Sequence, residues 1–209
     1  MLDQLLSQLL NLSIIQIFII FIILSILNGI ILIPSSQLIL ITSGIISISL
    51  NINPFILLTT LIISNIFGNY ILYLIAHKYG KNIVKKIIPM NKKKLNEQLL
   101  VLDYLFKRYG SFIIVIGRNL PLFHSLVSIP AGISKIKPKT YLIYTTIGIT
   151  IWSIIFFYLG RYTGENFEKI LKMFETTGSI ILITIFITLY ILFKKYYKKT
   201  LELAKKEFK

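Results

Sequence analysis

An arginine and a histidine lie six residues apart in the run GRNLPLFHSLVSIPAG, which occupies residues 117–132. Arg118 carries a planar guanidinium that can grip a phosphate through two parallel hydrogen bonds. His124 can exchange a proton near neutral pH, so it could assist phosphate binding or carry a proton. The alternatives are structural: an arginine that bonds backbone carbonyls, and a histidine that is simply hydrogen-bonded. The run therefore predicts either an anion-binding site or a pair of polar residues with a purely structural role.

A second polar group lies in the run NGIILIPSSQLILITSG, residues 28–44. Asn28, Ser36 and Gln37 offer neutral hydrogen-bonding groups, which could bind a headgroup or satisfy backbone groups. Asn65 and Asn69 are four residues apart on one helical face, so we expect them to bond between helices rather than bind a ligand.

Enzyme chemistry finds little support in the sequence. Ser125 and Ser128 lie near His124, but there is no GxSxG-like elbow and no evident oxyanion loop. The chain has no cysteine and only two histidines, far apart, which gives no recognisable metal site. No nucleotide-binding, kinase or redox-cofactor motif is present. We therefore expect a protein that is not an enzyme and uses no metal or cofactor.

The composition indicates whether these residues lie in water or in a lipid bilayer. The chain has 209 residues, 55% of them hydrophobic, with a mean hydropathy of +0.77. Residues 14–27 and 180–193 form apolar runs that can cross, or nearly cross, a hydrocarbon core of ~30 Å. The start, MLDQLLSQLLNLS, has no basic region typical of a secretion signal. We expect an integral membrane protein that keeps its first apolar helix.

The net charge of +15 is concentrated in two clusters. Seven lysines lie within residues 78–94 and seven within residues 194–209, each beside an apolar segment. This pattern marks cytoplasmic ends and contact with anionic lipid headgroups. No aromatic-interleaved RNA motif accompanies it, so nucleic acid is not an expected partner. The sequence predicts a multi-pass protein of the cell membrane with a cytoplasmic C-terminus.

The same charge rule predicts a re-entrant segment in the second half of the chain. Lys107 and Lys135 are both expected inside, so residues 111–133 must enter and leave the membrane on one face. Non-helical backbone at that depth is tolerated where protein or a wet cavity covers it. The alternative is a plain crossing helix kinked at a proline. The helix-interrupting residues are Gly117, Pro121, Pro130 and Gly132.

The first half repeats this plan in the opposite orientation, as many secondary transporters do. We therefore predict an all-α integral membrane protein: an inverted repeat of two re-entrant helical hairpins, each followed by a transmembrane helix, with further transmembrane helices at both ends. It forms one membrane domain, 1–209. Its segments are an N-terminal helix (1–27), a first re-entrant hairpin (28–50), a transmembrane helix (54–77), a basic cytoplasmic loop with an amphipathic helix (78–110), a second re-entrant hairpin (111–133), transmembrane helices (140–160 and 178–193) and a basic cytoplasmic tail (194–209).

Residues 28–164 resemble the DedA family of membrane proteins, also described as the SNARE-associated or VTT domain. In the first half, SNIFGNYILYLIAHKYG resembles the family's glycine-rich crossing, and PSSQLILITSG its first re-entrant loop. The resemblance implies opposed re-entrant loops and movement of lipids or lipid-linked phosphates across the bilayer, with protons as a candidate driving force. The second-half motif residues are Arg118, Pro121, Pro130, Ala131, Gly132, Gly148, Trp152 and Gly160.

Two departures from the family pattern concern charge. The family carries carboxylates in the first loop, where this chain has Leu27 or Asn28 and then Gln37, and no Asp or Glu occurs from residue 4 to residue 96. The second family arginine falls on His124. A carboxylate relay for protons within the first loop is thus absent. We interpret Trp152 as a core residue, because it lies too deep for the interface.

These observations predict a transporter or scramblase for a phosphate-bearing lipid, either a polyprenyl phosphate or a phospholipid. Membrane lipids are the expected partners, through their phosphate headgroups, and self-association is left open. The alternatives are a cation or proton antiporter and a non-transporting membrane scaffold. The predicted substrate-binding and transport residues are Arg118, His124, Gln37, Ser36, Asn28, Pro121 and Gly132.

Overall fold

The computed structural model describes residues 13–31, 35–87, 91–118, 124, 126–166 and 178–207. These residues form α-helices and one 3-10 turn, without a strand among them, so the all-α prediction is confirmed. The helices are α1 (Ile14–Ile31), α2 (Ser36–Ser49), α3 (Pro54–Ile87), α4 (Lys92–Tyr109), α5 (Ile113–Arg118), α6 (Ser128–Ile133), α7 (Pro138–Glu165) and α8 (Gly178–Glu207).

Three helices of the described chain are long and apolar enough to cross a membrane: α1, the Pro54–Gly80 part of α3, and α7. Large apolar side chains such as Ile63, Phe67 and Ile155 are exposed on them, as expected where lipid replaces water. These helices confirm the membrane character of the protein. The crossing predicted at 178–193 falls within α8, and its passage through a bilayer stays a prediction.

The helices on either side of α4 pack in a reciprocal way. Within the first half (α1 to α3), α1 packs on α3, and within the second half (α5 to α7), α5 packs on α7. The remaining helix of each half packs on the other half: α2 packs on α7 of the second half, and α6 packs on α3 of the first. Each half therefore covers the long helix of the other. The re-entrant path of the hairpins through a bilayer stays a prediction.

Glycines allow these helices to touch backbone to backbone. A Cβ added to Gly44 of α2 would lie 2.2 Å from the carbonyl oxygen of Phe157, and one added to Gly160 of α7 would lie 2.2 Å from that of Ile41. Gly132 of α6 meets α3 in the same way, since a Cβ there would lie 2.5 Å from the carbonyl oxygen of Tyr73. Small residues at such crossings permit close van der Waals packing.

Several helices run past the bounds expected from the sequence: α7 covers Pro138–Glu165 rather than 140–160, and α1, α3 and α8 are extended as well. α1 continues through Asn28 to Ile31, because the Asn28 side chain is bonded from α3 and the helix keeps its contact there. α3 extends past residue 77 and bends at Gly80, whose φ of 70° lies in the left-handed region. Among the described residues, nothing beyond the adjoining chain lies within 4 Å of a Cβ placed on Gly80, so its backbone conformation is what favours glycine there.

The basic tail is part of the fold rather than a separate segment. α8 runs without a break into residues 194–207, and its last turns pack on α4. Thr200 and Ala204 are buried at this contact. Lys205 Nζ lies 3.6 Å from Glu97 Oε1, and Lys107 forms an ion pair with Glu207. The tail therefore lies against α4, the helix predicted to be on the cytoplasmic side.

Candidate functional site

Arg118 is the last residue of α5 and is buried, with 2% of its surface exposed. Its two terminal nitrogens are surrounded by neutral acceptors from α3, α6, α7 and the segment before α6. None of these acceptors is a carboxylate, so within the described structure the charge faces neutral dipoles. Nη1 donates to Asn69 Oδ1 (2.9 Å) and to the His124 carbonyl (2.8 Å), and Nη2 donates to Ser128 Oγ (3.0 Å), Tyr141 Oη (2.9 Å) and Thr145 Oγ1 (3.3 Å).

The stem of Arg118 fits against a glycine of α7. A Cβ added to Gly148 would lie 3.0 Å from Arg118 Cβ and 3.3 Å from its Cδ. The guanidinium carbon lies 5.9 Å from the centre of the Tyr141 ring, which is close enough for a favourable cation–π contact. Gly148 thus leaves room for the aliphatic part of the Arg118 side chain, whose guanidinium reaches the neutral acceptors named above.

A chain of amides links Arg118 to the first half of the protein. Asn69 Nδ2 donates to Asn65 Oδ1 at 3.0 Å, and Asn65 Nδ2 donates to Asn28 Oδ1 at 3.1 Å. Asn65 also donates to the backbone carbonyl of Ser25 at 3.3 Å. The two asparagines of α3 therefore bond between helices, as their spacing predicts. Asn28 is connected to Arg118 through them.

A small cavity lies beside this network, between the two halves. Its volume is about 20 Å³, which is room for about one water molecule. Arg118, His124 and Ser36, three of the predicted site residues, share its lining, although they come from different halves. The other polar residues that line it are Ser25, Asn65, Trp152 and Ser153.

Three side-chain nitrogens that belong to the cavity lining have no hydrogen-bond partner in the described structure. They are Arg118 Nε, His124 Nε2 and Trp152 Nε1, and all three atoms are buried. Buried polar groups normally find partners, so such a cluster indicates a place where a ligand or solvent oxygen can bind. Trp152 is the member that the sequence interpretation assigned to the core. The signal was available, since an indole N–H deep in a membrane helix requires a partner.

The remaining predicted site residues lie elsewhere. Gln37 Oε1 accepts hydrogen bonds from the hydroxyls of Ser35 and Ser36, and Gln37 is not in the cavity lining. Gly132 packs α6 on α3, as described above. Pro121 falls outside the described residues. Within the described residues, no group of three or more His, Cys, Asp or Glu could hold a metal ion.

Comparison with known proteins gives a consistent family. An alkaline phosphatase-like protein of Lactococcus lactis subsp. lactis (strain IL1403) is 31% identical over 140 residues, which cover 64% of this chain and 65% of that protein, or just under two thirds of its length. Undecaprenyl phosphate transporter A of Staphylococcus aureus (strain NCTC 8325 / PS 47) is 27% identical over 168 residues, covering 79% and 83%. Protein DedA of Escherichia coli (strain K12) is 22% identical over 132 residues, covering 63% and 59%.

No solved structure matches the chain significantly. The profile of the VTT domain matches residues 33–162, which is more than half of the chain and includes α2 to α6, most of α7, and Arg118 with its five hydrogen-bond acceptors. The chain therefore belongs to the VTT-domain family, the family of DedA membrane proteins.

Proposed function

We propose that the protein moves a phosphate-bearing lipid, a polyprenyl phosphate or a phospholipid, across the cell membrane. The observation that carries this proposal is the buried guanidinium of Arg118, which has no carboxylate partner among the described residues and lines a cavity between the two halves. The name of the Staphylococcus relative, undecaprenyl phosphate transporter A, supports a lipid phosphate as the substrate class.

The electrostatics favour an anionic ligand. A buried charge is costly unless it is paired, and the five hydrogen bonds of Arg118 all go to neutral oxygens. A phosphate in the cavity would supply the missing negative charge and accept from the unpaired Nε. The neutral acceptors hold the guanidinium in position, so little ordering accompanies binding.

The dimensions of the cavity require movement during transport. About 20 Å³ admits roughly one oxygen-sized group and not a whole phosphate with its lipid chain. The two halves must therefore separate around Arg118 to admit the headgroup. An inverted repeat of re-entrant hairpins suits such a motion, because one half can rock against the other around a central site.

His124 is proposed to assist as the protonatable partner of Arg118. It lines the same cavity, and its Nε2 is buried without a partner in the described structure. A second positive charge beside the guanidinium is unfavourable until an anion enters. Proton uptake would then accompany phosphate binding, so transport is expected to depend on pH.

The proposed orientation places α4 and the tail of α8 in the cytoplasm. The lysine cluster 78–94 leads into α4, the other cluster lies in the tail, and α4 packs on that tail. Two segments on the same side of the membrane can pack on each other, so this contact is consistent with both being cytoplasmic. In this orientation the tail contacts anionic headgroups.

Reconstitution into vesicles tests the function. Transbilayer movement of a fluorescent phospholipid and of a polyprenyl phosphate is measured for the parent, for Arg118→Met and for Arg108→Met, at two pH values. Arg108 is exposed on α4 and lies outside the cavity lining, so its variant is the matched control. We expect movement in the parent and in Arg108→Met, and its loss in Arg118→Met.

The proposal would be rejected if Arg118→Met moved lipid as fast as the parent. It would also be rejected if the folded parent moved neither lipid. Proton or cation flux without lipid movement would favour an antiporter. Activity in cells that needs the tail after residue 193 but tolerates Arg118→Met would favour a scaffold.

A further inference from the structure

We infer that Trp152, Arg118 and His124 together form a cage for a single anionic phosphoryl oxygen, in which the indole N–H of Trp152 is a direct ligand. This inference deepens the proposed function and rests on it. The three nitrogens concerned, Trp152 Nε1, Arg118 Nε and His124 Nε2, belong to side chains that line one cavity, and none has a partner in the described structure.

Trp152 is positioned by the same helix that accommodates Arg118. It lies on α7 one turn after Gly148, the glycine against which the arginine stem packs. Its ring stacks in a tilted arrangement on Phe156, with 4.5 Å between ring centres, which limits its rotation. The indole nitrogen is a donor and never an acceptor, so only an oxygen or another acceptor can satisfy it.

Arg118, which lines the same cavity, has one donor left to offer. Both terminal nitrogens are occupied by protein oxygens, which leaves the Nε–H as its one unpaired group. His124 Nε2 can donate as well when it carries the proton. Two or three donors around a volume for about one water-sized atom define a site for an oxygen that accepts several hydrogen bonds at once. A negatively charged phosphoryl oxygen fits that description better than an alcohol.

The chain offers a direct probe, because Trp152 is its single tryptophan. Intrinsic fluorescence of the purified full-length protein in detergent is recorded during titration with farnesyl phosphate, with inorganic phosphate and with farnesol. The first two compounds distinguish a lipid headgroup from the free anion, and the third lacks the phosphate. We expect farnesyl phosphate to change the emission and farnesol to leave it unchanged.

A variant pair tests the hydrogen bond itself through binding of radiolabelled farnesyl phosphate. Trp152→Phe retains an aromatic ring but loses the N–H, so affinity should fall by about tenfold, as expected for a hydrogen bond to a charged group. Ile155→Leu lies on the exposed side of the same helix, outside the cavity lining, and should bind within about twofold of the parent, as expected for a surface substitution. Size-exclusion profiles establish that both variants are folded.

The cage is wrong if Trp152→Phe binds as tightly as the parent, or if farnesol changes the emission as farnesyl phosphate does. In either case lipid movement that still depends on Arg118 would leave the proposed function standing. Binding of inorganic phosphate alone would support the cage and assign it to the free anion. A parent that neither binds nor moves any phosphate compound would overturn both proposals. If Trp152→Phe does not fold, the three titrations of the parent decide.

Discussion

The two halves of the protein share a helix plan but differ in what they bury at its centre. In the first half Asn28 of α1 faces α3, and in the second Arg118 of α5 faces α7. Both facing helices carry a glycine at the contact. A Cβ on Gly68 would lie 2.3 Å from the carbonyl oxygen of Ile26, whereas one on Gly148 would meet the side chain of Arg118. The first half uses its glycine for backbone contact, and the second uses it to accommodate a charge.

Two arginines that bridge the halves show a similar difference. Arg161 of α7 donates to Ser47 of α2 at 2.9 Å and also lies 3.6 Å from the carboxylate of Glu165. Among the described residues, the partners of Arg118 are all neutral. Both connect helices of different halves, but Arg118 alone is buried at a cavity without a carboxylate beside it. The comparison indicates that either arginine can bridge the halves, while the proposed anion site belongs to Arg118.

The largest effect should come from adding a side chain at the backbone contact between α1 and α3 in the first half. Gly68→Ala places a methyl group against backbone atoms of α1, which can yield only if the helix moves. We expect unfolding to become easier by about 3 kcal/mol or more, the upper range for overpacking. Gly148→Ala meets the Arg118 side chain at 3.0 Å instead, which requires a shift of only a few tenths of an ångström, and should cost about 1 kcal/mol. Thermal unfolding of both proteins in detergent measures the difference, and equal costs would contradict the contrast between the halves.

The next effect concerns the two bridging arginines. Arg118→Met should reduce lipid movement in vesicles to less than about a tenth, because the hydrogen bonds of a charged donor are lost. Arg161→Met should retain about half of the movement or more, since an arginine near the surface contributes less. Flux normalised to the amount of folded, reconstituted protein checks both. A larger loss in Arg161→Met would break the proposed division of tasks.

The amide chain allows a finer test. Asn69→Ala removes an acceptor that bonds Arg118 directly, and we expect movement to fall by roughly threefold to tenfold from the loss of one hydrogen bond. Asn28→Ala lies two amides away, so it should change movement by less than about twofold while lowering stability by about 1 kcal/mol. Flux and thermal unfolding are measured on the same preparations. If Asn28→Ala were the more damaging to flux, the centre of the site would lie in the first half.

The smallest effect is expected outside both halves. Glu97→Gln removes the ion pair with Lys205 that joins α4 to the tail of α8. Exposed pairs of this kind contribute less than about 0.5 kcal/mol, and lipid movement should be unchanged. The midpoint of thermal unfolding and the vesicle assay provide the readings. A marked loss of movement would make the tail contact a part of the transport cycle.

Several features of the fold could be predicted because they depend on local composition. The apolar stretches that become α1, α3 and α7 are long enough to span a bilayer, and the polar face of α4 is visible in its spacing. Asn65 and Asn69 were placed correctly on one bonding face, since that depends only on helical periodicity. Gly132 and Trp152 were harder, because what a glycine or a tryptophan does depends on the helix opposite.

The membrane environment, the apolar helices, the family resemblance and Arg118 as a charge at membrane depth can all be read from the amino-acid sequence. Hydropathy, charge distribution and an ordered set of motif residues are properties of a single chain segment, so they can be read without coordinates. Tertiary structure alone decided the partners of Arg118, the amide path to Asn28, and the meeting of Trp152 with His124 at one cavity. These contacts join residues distant in sequence, and side-chain geometry across helix crossings, not periodicity, selects them.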